Sequence, residues 1–122
     1  MGLDLGLEKT GINFLLACEV DKVCRSTISK NRPDMALIGD IRDYNRLNLA
    51  AKNNVDIIIH TSAIKIIDTA EYNPMESIKT NVIGAENVVN VALENDVPKV
   101  LTISTDKAVN PINLYGASKL CS

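Results

Sequence analysis

Aromatic residues are scarce in this sequence. Its 122 residues include three tyrosines, one phenylalanine and no tryptophan, although hydrophobic residues as a whole make up 46% of the chain. An aromatic-rich β-sandwich core is therefore not expected, whereas a parallel sheet covered by helices is built mainly from aliphatic residues. The composition favours an α/β protein of ordinary globular character.

Long apolar runs and basic clusters are missing as well. The apolar stretches reach about six residues, against the roughly 20 needed to span a bilayer. The first seven residues carry an acid and no basic group, so we expect neither a membrane protein nor a signal peptide. The net charge of −2 gives no electrostatic reason to expect a nucleic-acid partner. Cys18, Cys24 and Cys121 lack the spacing of metal ligands, so we predict no metal site and a reducing, cytoplasmic location.

The length of the chain suits one domain and not two. Apolar runs typical of buried strands alternate with helical patterns along it. The predicted strands are 13–20, 35–39, 55–60 and 100–104. Asp21 and Asp43 are predicted to cap the helices after the first two strands. Since strands that alternate with helices pair in parallel, we predict an α/β fold, a Rossmann-like doubly wound parallel sheet, with residues 1–122 as a single partial domain.

The clearest predicted helix follows the third strand. Pro74 suits its first turn, where a missing N–H costs little. Its apolar residues recur at alternating spacings of four and three and form one predicted stripe: Ile78, Val82, Ala85, Val89 and Ala92. A short helix before the first strand is predicted from Leu3, Leu7 and Gly11.

Two motifs in the last fifth of the chain point to a chemistry. Thr105, Asp106 and Lys107 directly follow the fourth predicted strand, at the edge where open α/β sheets bind their ligands. Tyr115 and Lys119 lie one helical turn apart, so the ammonium can favour a phenolate that takes a proton from a hydroxyl. Together the motifs indicate oxidation of an alcohol by a nicotinamide. The alternative is a capped loop followed by a solvated helix start.

Residues 44–122 resemble the inverting UDP-N-acetylglucosamine 4,6-dehydratases, nucleotide-sugar enzymes of the extended short-chain dehydrogenase/reductase family that serve polysaccharide and pseudaminic-acid biosynthesis. The segments that carry the resemblance are 60–65 (HTSAIK), 70–74 (AEYNP), 79–84 (KTNVIG), 103–111 (ISTDKAVNP) and 113–119 (NLYGASK). The family usually has His-Ala-Ala-Ala-x-Lys where this chain has HTSAIK. His60 is interpreted as a structural residue at a strand end.

Enzymes of this family oxidise the sugar at C4 with NADP, eliminate water across C5 and C6, and return the hydride to C6. The resemblance implies that Tyr115 is the base at C4, that Lys119 assists it and contacts the ribose, and that Thr105 contacts the 4-hydroxyl of a UDP-sugar. It implies that Asp106 and Lys107 form the elimination pair. The residues implied to line the cofactor are Ile41, Thr61, Ser62, Ala63, Lys65 and Asn81.

Residues 2–43 resemble the N-terminal part of cytosine-C5 DNA methyltransferases, in the segments 6–11, 17–22 and 37–43. That resemblance implies S-adenosylmethionine as cofactor, with Glu19 on the ribose hydroxyls and Asp40 on the adenine amine. Alternatively, Glu19 and Asp21 only cap a helix. Because both families carry the motif at 39–43, the sequence predicts two Rossmann halves, 1–43 and 44–122, joined there.

A glycine-rich phosphate loop and the first strand of the Rossmann sheet are missing from this pattern. No Gly-x-Gly-x-x-Gly occurs among the six glycines, so no backbone cradle for a pyrophosphate is predicted. Glu19 stands where NADP would need a basic group, which favours NAD over NADP. Without the central strand we expect either a closed four-stranded sheet, in which 13–20 pairs with 55–60, or a marginal domain that recruits another chain and so forms an oligomer.

Three functional hypotheses follow from these patterns. The leading one is an NAD(P)-binding, dehydratase-like fragment that lacks turnover as an isolated chain. The second is a fragment of a DNA methyltransferase that depends on S-adenosylmethionine. The third is a non-catalytic scaffold, a recombined or designed Rossmann core.

Overall fold

Helices alternate with short strands in the computed structural model, which describes residues 6–122. The strands are Leu16–Cys18 (β1), Ala36–Ile38 (β2), Ile58–His60 (β3) and Val100–Thr102 (β4). All of them pair in parallel, which confirms the α/β class. Each lies within a predicted strand, but only three residues of each take part in regular pairing.

The four strands form two separate parallel pairs. β1 pairs with β2, and β3 pairs with β4, so the expected pairing of 13–20 with 55–60 is wrong for the described residues. The chain divides into two compact units, Met1–Asp40 and Ile41–Ser122, and each unit contains one pair. Each strand therefore pairs with the next strand of its own unit. The organisation of residues 1–122 as a single domain stays a prediction.

The helices of the described chain were mostly predicted. They are Lys22–Asn31 (α1), Tyr44–Ala51 (α2), Ile67–Tyr72 (α3), Pro74–Ile78 (α4), Gly84–Glu94 (α5) and Leu114–Cys121 (α6), with a π-helical turn at Lys79–Ile83. The Asp21 and Asp43 carboxylates accept the first-turn N–H groups of Cys24 and Arg46, so both predicted caps are confirmed. The apolar pattern did not indicate α3.

One arginine of the first unit contacts the ends of both of its paired strands. Arg25 of α1 donates through Nη1 to the carbonyls of Glu19 and Ile38, at 2.8 and 2.7 Å. These carbonyls lie just beyond β1 and at the end of β2. Residues 6–8 are helical and Gly11 has a φ of 91°, as the predicted first helix requires, whereas Leu3 lies outside the described residues.

α4, the π-helical turn and α5 form one continuous helix in the second unit, with Pro74 in its first turn as predicted. Val89 of the predicted apolar stripe is 47% exposed. The buried residues are Ser77, Asn81, Gly84, Ala85, Val88, Val91 and Ala92. The stripe was misplaced because Ser77, Asn81 and Gly84 are polar or small, and a pattern of apolar residues does not reveal them. No helix among residues 6–122 is long and apolar enough to cross a membrane.

Candidate active site

The parallel pairing of β3 with β4 places their carboxyl ends at one edge of the second unit's sheet. The His60 carbonyl accepts the N–H of Ile103 at 3.0 Å, so the two strands leave the sheet side by side. The segments that follow are 61–65 and 103–107, which carry the residues expected to bind a cofactor and to act in catalysis. The topology thus brings the expected cofactor-binding residues and the expected catalytic residues to the edge at which α/β sheets bind ligands. This edge, formed by residues 61–65 and 103–107, is called the ligand edge.

Thr105, Asp106 and Lys107 form a short polar chain at this edge. The Thr105 hydroxyl donates to Asp106 Oδ1 at 2.9 Å, and Lys107 Nζ lies 3.4 Å from the same oxygen. The hydrogen bond from Thr105, followed by the charge of Lys107, lowers the pKa of Asp106. Asp106 is therefore ionised at neutral pH in this arrangement and forms an ion pair with Lys107.

Tyr115 and Lys119 lie one turn apart on α6, as the motif predicts. Asn113 caps this helix, because its side chain accepts the Gly116 N–H at 2.8 Å. Tyr115 is half-buried, whereas Lys119 is only 5% exposed. Burial lowers the pKa of the Lys119 ammonium. This lysine is thus a largely desolvated charge one turn from the phenol.

The two motifs meet at Gly116. A Cβ at this position would lie 2.2 Å from the carbonyl oxygen of Lys107 and 3.0 Å from Cβ of Pro111. Only a residue without a side chain permits this approach. α6 is thereby held directly against the segment that carries Asp106. The two sequence motifs contain the residues on both sides of this contact but give no signal of the contact itself.

Asn81, expected to line the cofactor, is 0% exposed. Its Oδ1 accepts the Ile64 N–H at 2.8 Å, and its Nδ2 donates to the Ile64 carbonyl at 3.1 Å and to Ser118 Oγ at 2.9 Å. The side chain therefore joins the segment after β3 to α6. It acts on the ligand edge by positioning the residues around it, and it presents no surface of its own to a ligand.

The other residues expected to line a cofactor differ in solvent exposure. Thr61 and Lys65 are exposed, and Ser62 and Ala63 are half-buried, on the segment that follows β3. Ile41 is 6% exposed and its side chain packs against the start of α5. It belongs to the core of the second unit, so only its main chain is left for the expected role.

His60 ends β3 in a buried position, 3% exposed, and its Nε2 has no hydrogen-bond partner among residues 6–122. Burial, followed by the charge of Lys119, lowers the pKa of the imidazole. His60 is therefore neutral at pH 7, which fits the structural role inferred from the sequence. Within the described part of the chain, no group of three or more His, Cys, Asp or Glu side chains could hold a metal ion.

In the first unit, the residues expected near an adenosine follow β1 and β2. Glu19 and Asp40 are half-buried, and Glu19 Oε1 accepts the Asp21 N–H at 2.9 Å. This bond agrees with the helix-capping alternative and leaves the second carboxylate oxygen for a ribose hydroxyl. The Cys18 thiol donates to the Gly39 carbonyl at 3.1 Å, and burial raises its pKa to about 11, so it stays protonated at neutral pH.

The polysaccharide biosynthesis protein family model matches residues 15–122. The matched range includes β1, Glu19 and the predicted junction at 39–43, and so takes in most of the half that resembled DNA methyltransferases. Nothing in the similarities found supports a methyltransferase.

Two curated relatives and one solved structure show what the chain is similar to. It is 56% identical over 93 residues to the UDP-N-acetylglucosamine 4,6-dehydratase (inverting) of Campylobacter jejuni, over 75% of the chain and 28% of that protein. It is 48% identical over 93 residues to the UDP-glucose 4-epimerase of Rickettsia felis, over 75% of the chain and 27% of that protein. DesIV, the dTDP-glucose 4,6-dehydratase of Streptomyces venezuelae solved with NAD and TYD bound, has a TM-score of 0.78 at 23% identity, over 88% of the chain and 39% of DesIV.

The likeness to DesIV shows the fold, a partial Rossmann-type α/β sheet. The chain spans about 28% of the length of the Campylobacter jejuni relative.

Proposed function

Because the chain belongs to the polysaccharide biosynthesis protein family, we propose that it is the dinucleotide-binding and catalytic-edge part of a nucleotide-sugar 4,6-dehydratase. The substrate class proposed is a UDP-N-acetylglucosamine-type sugar, which the 56% identity to a relative of that name supports. The observation that carries the proposal is the contact at Gly116, which holds the helix of Tyr115 and Lys119 against the Asp106–Lys107 pair.

Each unit, taken by itself, carries residues that suit one part of a dinucleotide. Lys119 is a largely buried lysine, 5% exposed, and it lies one turn from Tyr115 at the ligand edge. Glu19 keeps one carboxylate oxygen for the two hydroxyls of a ribose, and its charge repels a 2′-phosphate, so NAD is favoured over NADP. When bound, the nicotinamide would accept a hydride from the sugar and return it later.

The first chemical task of the side chains is removal of a proton at O4. Tyr115, as a phenolate, takes the proton of the 4-hydroxyl, while the Lys119 ammonium stabilises the phenolate. Thr105 contacts the same hydroxyl. This contact draws the Thr105 hydroxyl away from Asp106, and so removes the largest cause of the low pKa of that carboxyl.

Elimination needs a neutral amine and a protonated carboxyl, and the observed ion pair contains neither. Transfer of one proton from Lys107 to Asp106 produces both without a change in net charge. Lys107 then takes the proton from C5, the C5–C6 double bond forms, and the C6 hydroxyl leaves with the Asp106 proton as water. The loss of the Thr105 hydrogen bond favours this transfer because it raises the pKa of Asp106.

Ligand titration tests the binding part of the proposal. We expect calorimetry on the 122-residue chain to show NAD binding, weaker NADP binding and no turnover of UDP-N-acetylglucosamine. Lys119→Met should weaken NAD binding, whereas Lys99→Met, which removes a charge from an exposed position before β4, should not. Binding of S-adenosylmethionine without NAD would favour the methyltransferase hypothesis, and binding of neither would favour the scaffold.

A chimera tests the catalytic part. Residues 44–122 would replace the matching segment of the Campylobacter jejuni dehydratase, and the product would be identified by mass spectrometry. We expect loss of one water from the sugar, abolished by Tyr115→Phe and retained in Tyr72→Phe, whose side chain is 92% exposed. Equal activity of the two variants would refute the role of Tyr115.

A second candidate function is 4-epimerisation, favoured by the 48% identity to a UDP-glucose 4-epimerase. Epimerisation at C4 needs the base and its lysine but no elimination pair. The same chimera distinguishes the two, because an epimer has the mass of the substrate. Lys107→Met should abolish loss of water and leave epimerisation intact.

A further inference from the structure

In addition to its N-cap Asn113, α6 is capped by a side chain of another helix. Leu114 is the first residue of α6, and its N–H donates to Glu71 Oε1 of α3 at 2.7 Å. The first N–H groups of a helix have no partner within the helix, and a carboxylate at this end interacts favourably with the helix dipole. Asn113 serves the Gly116 N–H, so the two caps satisfy different donors of one turn.

Glu71 lies on a helix that is itself anchored at the ligand edge. α3 begins at Ile67, separated by one residue from the segment 61–65, which carries residues expected to line a cofactor. Ala70, the neighbour of Glu71, is 0% exposed, so the helix is fixed against the interior of the second unit. The hydrogen bond therefore connects the cofactor side of the edge to the residue directly before Tyr115.

We propose that Glu71 is a positioning residue whose carboxylate holds the first turn of α6, and with it Tyr115 and Lys119, at the ligand edge. The catalytic meaning of this inference rests on the proposed function, but the coupling between Glu71 and α6 does not. Glu71 is exposed, so its loss leaves the Leu114 N–H to water and acts locally more than on the stability of the whole unit.

The test uses the untagged chain, in which His60 is the single histidine. Its imidazole reports on α6 because the charge of Lys119 contributes to its low pKa. The variants are Glu71→Ala and Glu71→Gln, and the control is Asp68→Ala, which removes an exposed charge from the same helix. NMR would give the amide exchange rate of Leu114 and the imidazole titration curve of His60.

In Glu71→Ala we expect Leu114 to exchange at least about fivefold faster, as for loss of a hydrogen bond to a charged group. We also expect the pKa of His60 to rise towards its ordinary value, because Lys119 is held less closely. Glu71→Gln should show smaller changes in both quantities than Glu71→Ala, since its amide oxygen can still accept the Leu114 N–H. Asp68→Ala should match the wild type, and the Tm of Glu71→Ala should lie close to that of the control.

Two results would overturn the inference. One is a Leu114 exchange rate and a His60 titration in Glu71→Ala equal to those of Asp68→Ala. The other is equally faster exchange throughout residues 41–122 with a lower Tm, which indicates a general role in stability. In the dehydratase chimera, Glu71→Ala should lower kcat more than it changes KM. If the chimera is inactive with Glu71 present, only the proposed function is contradicted. The coupling between Glu71 and α6 is then still decided by the His60 titration.

Discussion

The ionisation of Asp106 is decided by its two neighbours. A lone aspartate after a strand could be an acid or a base, and the sequence motif does not say which. In the structure the Thr105 hydroxyl and the Lys107 ammonium both favour the carboxylate, so the candidate acid starts deprotonated. The Thr105 hydroxyl lowers the pKa of Asp106 more than Lys107 does. In the proposed mechanism, a hydroxyl of the substrate would compete with Asp106 for this hydrogen bond.

Thr105→Val should therefore raise the pKa of Asp106. Valine has nearly the shape of threonine and cannot donate to the carboxylate, so the ordinary value of about 3.9 is approached. The carboxyl carbon of Asp106, followed by NMR through a pH titration, measures the change. Thr27→Val, which removes a hydroxyl that donates to the Val23 carbonyl in α1, should leave Asp106 as it is. An unchanged Asp106 in Thr105→Val would contradict the proposed cause.

Gly116→Ala should destabilise the second unit. The added Cβ would lie 2.2 Å from the Lys107 carbonyl oxygen, so one of the two segments must move, at a cost of about 1–3 kcal/mol or more. Urea unfolding measures the free energy. Gly6→Ala is the matched control because nothing lies within 4 Å of its Cβ position. Equal stability of the two variants would mean that α6 tolerates displacement.

At the scale of elements, the strands and most helices could be predicted, but the face that a helix buries could not. Periodicity finds an element because apolar residues repeat along it. It misplaced the buried face of the helix from Pro74 to Glu94, where Ser77 and Asn81 occupy interior positions. Their interior position depends on partners that are distant in sequence, such as Ser118 for Asn81. No local pattern contains that information.

Asn81→Ala should cost about 2–5 kcal/mol, measured by urea unfolding. It leaves the N–H and carbonyl of Ile64 without their partner in the interior. Asn53→Ala is the control, since this exposed amide donates to the carbonyl of Ala50 three residues before it. A loss of less than about 1 kcal/mol in Asn81→Ala would show that other groups or water replace the amide.

At the scale of the whole molecule, the buried histidine links stability to pH. The pKa of His60 lies below its ordinary value of 6.5 in the folded state, so the unfolded chain binds a proton first as the pH falls. Stability is full above about pH 6.5 and decreases as the pH falls through the folded pKa. The low pKa values of Asp21, Glu76 and Asp106 add a further loss only at more acidic pH, as those carboxylates are protonated.

We therefore expect the free energy of unfolding to fall between pH 7 and pH 5.5 in the wild type and to change much less in His60→Gln. Urea unfolding at several pH values measures the difference between the two curves. Glutamine does not titrate, so any slope that it retains belongs to other groups. Parallel curves would show that His60 is solvated in the folded state.

The sequence alone indicates the α/β class, the four strands and most helices, the caps at Asp21 and Asp43, and the motifs at 105–107 and 115–119, because each depends on neighbours within a few positions. Only the tertiary structure decided that the strands form two pairs, that Asn81 is a buried link and that Glu71 caps α6. It also decided that α6 and the Asp106 segment touch at Gly116. These features join residues that lie apart in the chain, and their geometry exists only once the unit that contains them has folded.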